Sequence, residues 1–393
     1  MNEIGKISYG KQYISQQCIS SVIKVLKSDF LTQGPVVSEF EELFSRYVGS
    51  KFSVAVNSGT AALHLACLSI NLKKNDTLWT VPNSFVASAN CALYCGAKVD
   101  FVDIDPYTWN ISIPKLSEKL KIAKRNNTLP KIIVIVHFSG RPCDLNEIKK
   151  LSKTYNFYIV EDACHALGSK FKNKQIGSCQ YSDISTFSFH PVKSITTGEG
   201  GMIVTNNKKL FDKIKLLRSH GITKDVRQMK NKENNPWYYE QTVLGFNYRM
   251  SDIQAALGIS QLSLIEKFLL KRKRIASKYF ESFKNLPLQL PMQTSDHLSS
   301  FHLFVIRVKM KFSKKLFFQL LQKKNIFLQT HYIPIHLQPF YKKMGFKEKD
   351  FPESEQFYEE AISLPIYYGL DVEKQNYVIK NIKKLIQDLE CKK

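Results

Sequence analysis

Between Phe52 and Asn207 the chain alternates short apolar runs with stretches of helical periodicity, and this alternation limits its fold more than any other feature. "FSVAV" leads into "TAALHLACLSI" and "TLWTVP" into "SFVASANCALYCG"; "KVDFVDI", "KIIVIVHF", "FYIVEDA", "DISTFSFH" and "GGMIVTN" follow. Runs of this length, bounded by turn residues, read as buried strands, and the periodic segments between them as helices. Strands and helices taking turns over about 150 residues predict the α/β class, a mostly parallel central sheet with crossover helices. Of the 393 residues, 44% are hydrophobic, enough to fill such a core and a second lobe.

The pattern shifts near residue 245. "SDIQAALGISQLSLIEKFLLKRKRIASKYFESF" reads as one long helix, followed by a strand "FHLFVIRV", a helix "KKLFFQLLQKKN" and a closing helix from about Val372. The expected division is therefore an N-terminal segment and large α/β domain over 1–245 and a smaller α+β domain over 246–393. "TKDVRQMKNKENNPWYYEQT" is expected to be a polar loop.

The formal charge of +23 invites a nucleic-acid reading, but lysines are spread along the whole chain. The one dense cluster, "KRKR" at Lys271 to Arg274, falls in the long helix, where a solvated face is expected, and no recognition-helix, zinc-finger or RNP-type pattern accompanies it. No nucleic-acid partner is expected, although a basic surface favours an anionic small substrate. The eight cysteines (Cys18, Cys67, Cys91, Cys95, Cys143, Cys164, Cys179 and Cys391) form no CxxC pair and no zinc-type spacing, so reduced thiols and no metal site are expected. "MNEIGKISYG" lacks a basic region before an apolar core, and no apolar run is long enough to span a bilayer, which places the expected protein in the cytoplasm, off the membrane.

Ligands of such sheets gather at the carboxyl ends of the strands, and three stretches put reactive groups there. In "VNSGTAAL" a strand end, a tight turn and a helix start combine exposed amides with the hydroxyls of Ser58 and Thr60. That suits a phosphate, and it equally suits ordinary N-capping. In "FYIVEDACHALGS", Glu161 and Asp162 close an apolar strand, where an acid is costly unless something cationic meets it. Asp162 could face a protonated ring nitrogen, and His165 would come round to the same side if a helical turn follows. In "SFHPVKSITTGEGGMIVTNN", Lys193 stands between a strand end and a run of Thr and Gly. A lysine that forms a Schiff base must spend time neutral, which a confined position favours. Ser188 at the strand end could add a phosphate contact.

"SFHPVKSITTGEGG", "NSGTAAL", "PNSFVASAN", "EDACHALGS" and "GFNYRMSDIQAALG" occur in the order and spacing of the DegT-type pyridoxal-phosphate-dependent sugar aminotransferases, which the chain resembles over essentially its whole length. The resemblance implies a fold-type I aminotransferase and a homodimer. It implies that Lys193 carries pyridoxal 5'-phosphate as a Schiff base and acts as the base, that Asp162 pairs with the pyridine nitrogen, that Phe85 stacks on the ring and that His165 lies near the phenolic oxygen. Ser58, Gly59, Thr60 and Ser188 match phosphate contacts, and Asn247 matches one from the partner subunit. L-Glutamate is the implied amino donor in a ping-pong cycle. Arg249 is a candidate for a substrate carboxylate, with a structural ion pair the competing reading.

Within that family, "ISYGKQYI", "SDFLTQGP", "LRSHGIT", "HYIPIHLQPFY" and "ISLPIYYGL" look most like the enzymes that aminate C4 of a UDP-linked 4-keto-6-deoxy-N-acetylhexosamine on the route to pseudaminic acid. That match implies a sugar-nucleotide pocket built from Tyr9, Asp29, Phe30, Leu31, Thr32, Ser188, Asn247, His331, Tyr332, Ile333 and Pro334. Relatives acting on dTDP- or GDP-linked keto sugars are the alternative. A dehydrating branch, which has histidine in place of the lysine, is disfavoured by Lys193.

Overall fold

The computed structural model describes residues 5–227, 229–231, 235–309 and 313–390. Cys391, Gln228 and residues 232–234 of the expected polar loop lie outside them.

The expected alternation forms one seven-stranded sheet: β1 (Phe52–Val56), β2 (Thr77–Thr80), β3 (Lys98–Phe101), β4 (Ile132–Val136), β5 (Tyr158–Asp162), β6 (Ile184–Ser188) and β7 (Gly201–Thr205). Their spatial order is β1-β7-β6-β5-β4-β2-β3. Helices connect the parallel strands β2 to β6 along most of the run. β7, in contrast, is antiparallel to both β1 and β6. Residues 189–200 carry no crossover helix and fold back as a loop, so Gly201 pairs with Ser188 and Lys193 is held at the carboxyl end of β6. Every residue of β4 is buried, and successive side chains go to opposite apolar layers: Ile133 and Ile135 to one, Ile132 and Val134 to the other. A sheet covered on both faces by helices needs this continuous apolar run.

A smaller three-stranded antiparallel sheet has Phe304–Val308 between Leu288–Gln289 and Ala361–Leu364. Ile275, Tyr279 and Phe283 of one helix and Val378, Ile382 and Ile386 of the closing helix Val372–Glu390 pack on it. Ile7 joins this core, and the strand Ile7–Ser8 pairs in parallel with Ile326–Phe327.

The long helix expected from Ser251 to Phe283 is instead two helices, Asp252–Leu262 and Ile265–Phe283, bent by 56°. Packing explains the break. Ala255 and Leu262 belong to the core around the large sheet, and Gly258 lies so close to Phe40 that a Cβ would stand 2.6 Å from its ring. Asp252 accepts the amides of Gly34, Val36 and Val37 at 2.7, 2.9 and 3.1 Å, capping the helix Pro35–Val48. The second helix serves mainly the smaller sheet, and one straight helix cannot lie along both.

The "KRKR" cluster also departs from expectation. Lys273 and Arg274 are exposed, but Arg272 is buried and donates from Nη1 to the carbonyls of Phe301, His302 and Ile366 at 3.3, 3.1 and 3.0 Å. Helical periodicity turns one residue of any such run inward. Among the described residues no single helix is long and apolar enough to cross a membrane, and no group of His, Cys, Asp and Glu could hold a metal.

Candidate active site

The carboxyl ends of β1, β5 and β6 open on one cavity of about 620 Å³. It is bounded by Ser58, Gly59 and Thr60 after β1, Asp162, Cys164 and His165 at the end of β5, and Ser188 and Lys193 after β6. Tyr9 from the N-terminal segment and His302, His331, Tyr332 and Ile333 from beyond the bent helix close it.

The helix Gly59–Ser69 starts at the cavity wall, and Ser58 caps it, its Oγ accepting the Ala61 amide at 3.1 Å. The capping reading of this motif is thus correct. It leaves the amides of Gly59 and Thr60 in the first turn, where a helix has no acceptor of its own. Gly59 is required by close approach, since a Cβ there would stand 2.8 Å from the Ser188 Cβ, and one on Gly201 would stand 2.4 Å from the Ser58 carbonyl oxygen. These contacts bring a helix N-terminus, with its positive dipole end, against the Ser188 strand end, an arrangement suited to a phosphate.

On β5 the alternation of a strand sends neighbouring acids apart. Asp162 lines the cavity, accepting Ser88 Oγ at 2.6 Å on Oδ2 and the Cys164 amide at 3.2 Å on Oδ1. Glu161 enters a separate cluster and accepts from His137 Nε2 at 2.7 Å, Ser185 Oγ at 2.8 Å and Ser182 Oγ. Lys193 has no ion pair within 4 Å among the described residues. Burial pulls its ammonium below the ordinary lysine range, with Cys164 and Asp162 pulling the other way. That environment enlarges the neutral fraction that nucleophilic and base chemistry needs.

His165 follows β5 on a turn and not on a helix, and it still reaches the cavity beside Asp162. Its Nδ1 accepts the Ser139 amide at 3.3 Å and its Nε2 lies 3.0 Å from Tyr332 Oη. His302 stacks on it at a tilt, ring centroids 4.4 Å apart, with its Nδ1 buried and without a hydrogen-bond partner among the described residues. His331 Nδ1 meets Ser363 Oγ at 2.8 Å. Burial first, then the charge of Lys193, lowers His331 to about 3 and keeps His165 well below its usual value, with His331 adding to the latter. For His302 burial is again first, followed by His165, Lys193, Arg272 and His331.

Of the expected site residues, Tyr9, Ser58, Gly59, Thr60, Phe85, Asp162, His165, Ser188, Lys193, His331, Tyr332 and Ile333 line this cavity. Phe85 stands at its side, 58% exposed, its ring centroid 6.2 Å from that of Tyr332. Pro334 adjoins the wall without lining it. Asp29, Phe30, Leu31, Thr32 and Asn247 lie elsewhere on the surface of this chain. Thr32 bridges to Ser251, and Asn247 to Ser219. Arg249, a candidate carboxylate holder, pairs through its backbone with Val56 and is not part of the wall. Cys164, Glu199, His302, Gln329, Thr330 and Gln338 line the cavity without having been singled out. Cys164 and Glu199 stand inside motifs already quoted, whereas nothing local marks His302 in "SSFHLFVIRV", an ordinary strand entry.

The residues present fit pyridoxal phosphate: a confined lysine without an acid partner, a carboxylate deep in the cavity, and a helix start so tightly cradled that a Cβ would fill it. The sequence matches the DegT/DnrJ/EryC1/StrS aminotransferase family over residues 12–383. It is 39% identical over 387 residues to the UDP-4-amino-4,6-dideoxy-N-acetyl-beta-L-altrosamine transaminase of Campylobacter jejuni (serotype O:23/36), covering 98% of each chain. The fold is similar to that of Helicobacter pylori PseC, an aminotransferase involved in the biosynthesis of pseudoaminic acid, with a TM-score of 0.88 and 33% identity over 98% of this chain and 100% of that one. It is also similar to the pyridoxal-phosphate form of the Streptococcus pneumoniae sugar aminotransferase Spr1654, with a TM-score of 0.88 and 27% identity over 98% and 99% of the two chains. With four of its five motifs meeting at one cavity and the match running nearly end to end, this chain belongs to the DegT/DnrJ/EryC1/StrS family of pyridoxal-phosphate-dependent sugar aminotransferases.

Proposed function

We propose that the enzyme moves the amino group of L-glutamate to C4 of a UDP-linked 4-keto-6-deoxy-N-acetylhexosamine, as a cytoplasmic homodimer with shared sites. The observation that carries the chemistry is Lys193, confined in the cavity with Asp162 and without an ion pair. Pyridoxal phosphate, when bound, supplies an electron sink and an amino-group carrier. Lys193 would hold it covalently and, once the amino donor displaced it, the freed amine would move the proton at the reacting carbon. The Asp162 carboxylate meets its ring nitrogen and favours the protonated form there. Phe85 covers one face of the ring, while Ser58, Gly59, Thr60 and Ser188 hold the phosphate. Tyr9, His331, Tyr332, Ile333 and Pro334 receive the sugar nucleotide.

Support for the substrate comes from the names of the Campylobacter and Helicobacter relatives and from the basic charge, which draws in a diphosphate. Offering UDP-linked and dTDP-linked 4-keto-6-deoxy sugars to the pyridoxamine form tests it directly: the UDP sugar should restore the aldehyde-form absorbance faster. Preference for the dTDP sugar, or amination at C3 in the isolated product, would overturn the substrate and leave the aminotransferase standing.

Support for the dimer comes from the exposed apolar residues Phe30 and Leu31, 56% and 46% accessible in the single chain, beside the segment that carries Asn247. In the dimer Asn247 completes the partner's phosphate site, with Asp29 to Thr32 at the same junction. Mixing Lys193→Ala with Asn247→Ala protein should then regenerate activity once subunits exchange, and a fully active monomer would defeat the reading.

A further inference from the structure

We propose that Ser88, backed by Ser84, is a positioning residue that fixes the Asp162 carboxylate through a one-way chain of hydroxyls. A carboxylate only accepts, so the bond of 2.6 Å between Ser88 Oγ and Asp162 Oδ2 uses the one hydrogen that Ser88 has. Ser84 Oγ lies 2.7 Å from Ser88 Oγ, and with the Ser88 hydrogen committed, Ser84 must be the donor there. The hydrogen bonds therefore run from Ser84 to Ser88 to Asp162. Ser84 lines the cavity, whereas Ser88 is fully buried behind the wall.

The two serines bracket Phe85. Ser88 stands in the first turn of the helix Ala87–Tyr94, and its amide donates to the Phe85 carbonyl at 3.2 Å. This turn and the end of β5 are separate segments, and the bond from Ser88 joins them across 74 positions. On the other carboxylate oxygen, Oδ1, the Cys164 amide donates at 3.2 Å. One donor on each oxygen holds the carboxylate in a single orientation and leaves lone pairs for a ligand. Bonds of this kind to a charged group are stronger than neutral ones, and more so where the surroundings are buried. With only the Cys164 amide, the carboxylate would be free to turn and would meet a cation in the cavity less well. The inference rests on the reading that Asp162 meets the ring nitrogen of the cofactor.

The experiment measures the dissociation constant of pyridoxamine 5'-phosphate from the cofactor-free full chain. This ligand forms no Schiff base with Lys193, so the constant reports the pocket alone. Ser88→Ala should weaken binding about 3–10-fold, the size of one lost hydrogen bond. Ser88→Thr, which keeps the hydroxyl, should recover most of that loss. Ser84→Ala should cost less than ~2-fold, because Ser88 still donates to Asp162 and loses only the strengthening that a chain of hydroxyls provides. Repeating Ser88→Ala in the Asp162→Ala protein should add no further loss, since Ser88 acts through that carboxylate. An unchanged constant in Ser88→Ala, an equal loss in Ser84→Ala, or a further loss when Ser88→Ala is added to Asp162→Ala overturns the proposal. Asp162→Ala alone decides the reading beneath it: binding like wild type there removes Asp162 from the ring nitrogen, whatever Ser88→Ala does.

Discussion

Glu161 and Asp162 are consecutive residues of one strand, and their surroundings differ chiefly in how completely polar groups are satisfied. Around Glu161 the account closes: its oxygens take hydrogen bonds from His137, Ser182 and Ser185, and His137 Nδ1 in turn accepts the Cys143 amide at 3.0 Å. Around Asp162 it stays open: among the described residues Lys193 has no ion pair and His302 Nδ1 no hydrogen-bond partner. Both clusters combine a buried carboxylate, imidazole and hydroxyls, so residue type does not separate a structural network from a reactive one. Unsatisfied donors facing a cavity do, because a fold tolerates them only where a ligand or water completes the set.

Removing the group on which the open cluster depends should have the largest effect. Lys193→Ala should fold, lose the visible absorbance that belongs to the lysine-linked cofactor and lose at least ~10²–10⁴-fold in transamination rate. Turnover near wild type would erase the distinction between the clusters.

The two acids should then fail in opposite ways. Asp162→Ala should bind pyridoxal phosphate roughly 10–100-fold more weakly, the size of a lost hydrogen bond to a charged group, with the unfolding midpoint of the cofactor-free protein little changed. Glu161→Gln should bind the cofactor normally and lose about 1–3 kcal/mol in urea unfolding, since Ser182, Ser185 and His137 lose their charged acceptor. An exchange of these phenotypes would assign the ring-nitrogen role to Glu161. The same contrast has a pH signature. Burial alone would raise Glu161, but hydrogen bonds from His137, Ser182 and Ser185 prevail and lower it. A carboxyl lowered by folding stabilises above its unfolded value, about 4.3, and that contribution is lost as pH falls through the folded value. The stability gap between wild type and Glu161→Gln should be full at pH 7 and narrow in acid.

The smallest effects belong to the basic cluster. Lys273→Ala should stay within about 0.5 kcal/mol of wild type. Arg272→Met should cost about 1–3 kcal/mol, because the carbonyls of Phe301, His302 and Ile366 lose a shared donor. Equal effects at the two positions would mean that the carbonyl contacts contribute nothing.

Much of this was legible before any coordinates. Short β-branched runs separated by helical periods specified the large sheet, since only a covered parallel arrangement buries such strands on both faces. Lys193, Asp162, Ser58 and Gly59 were identifiable because each sits at a strand end beside a turn, where the chain order itself states the location. His302 and Arg272 were not, because their signal is not local. One enters an unremarkable strand, the other hides in a run of surface-type residues, and only the packing of the bent helix against residues 300–302 makes them partners.

Sequence by itself determined the α/β class, the order of the strands and helices, and which strand ends carry the reactive side chains. Each of these follows from spacing and residue type within one segment. Tertiary structure alone decided that β7 runs backward, that the helix breaks near Ser263, that Glu161 and Asp162 belong to separate clusters, and that Tyr332 meets His165. The reason is physical: hydrogen-bond satisfaction and close packing are set by groups far apart in the chain, and Tyr332 and His165 are 167 positions apart.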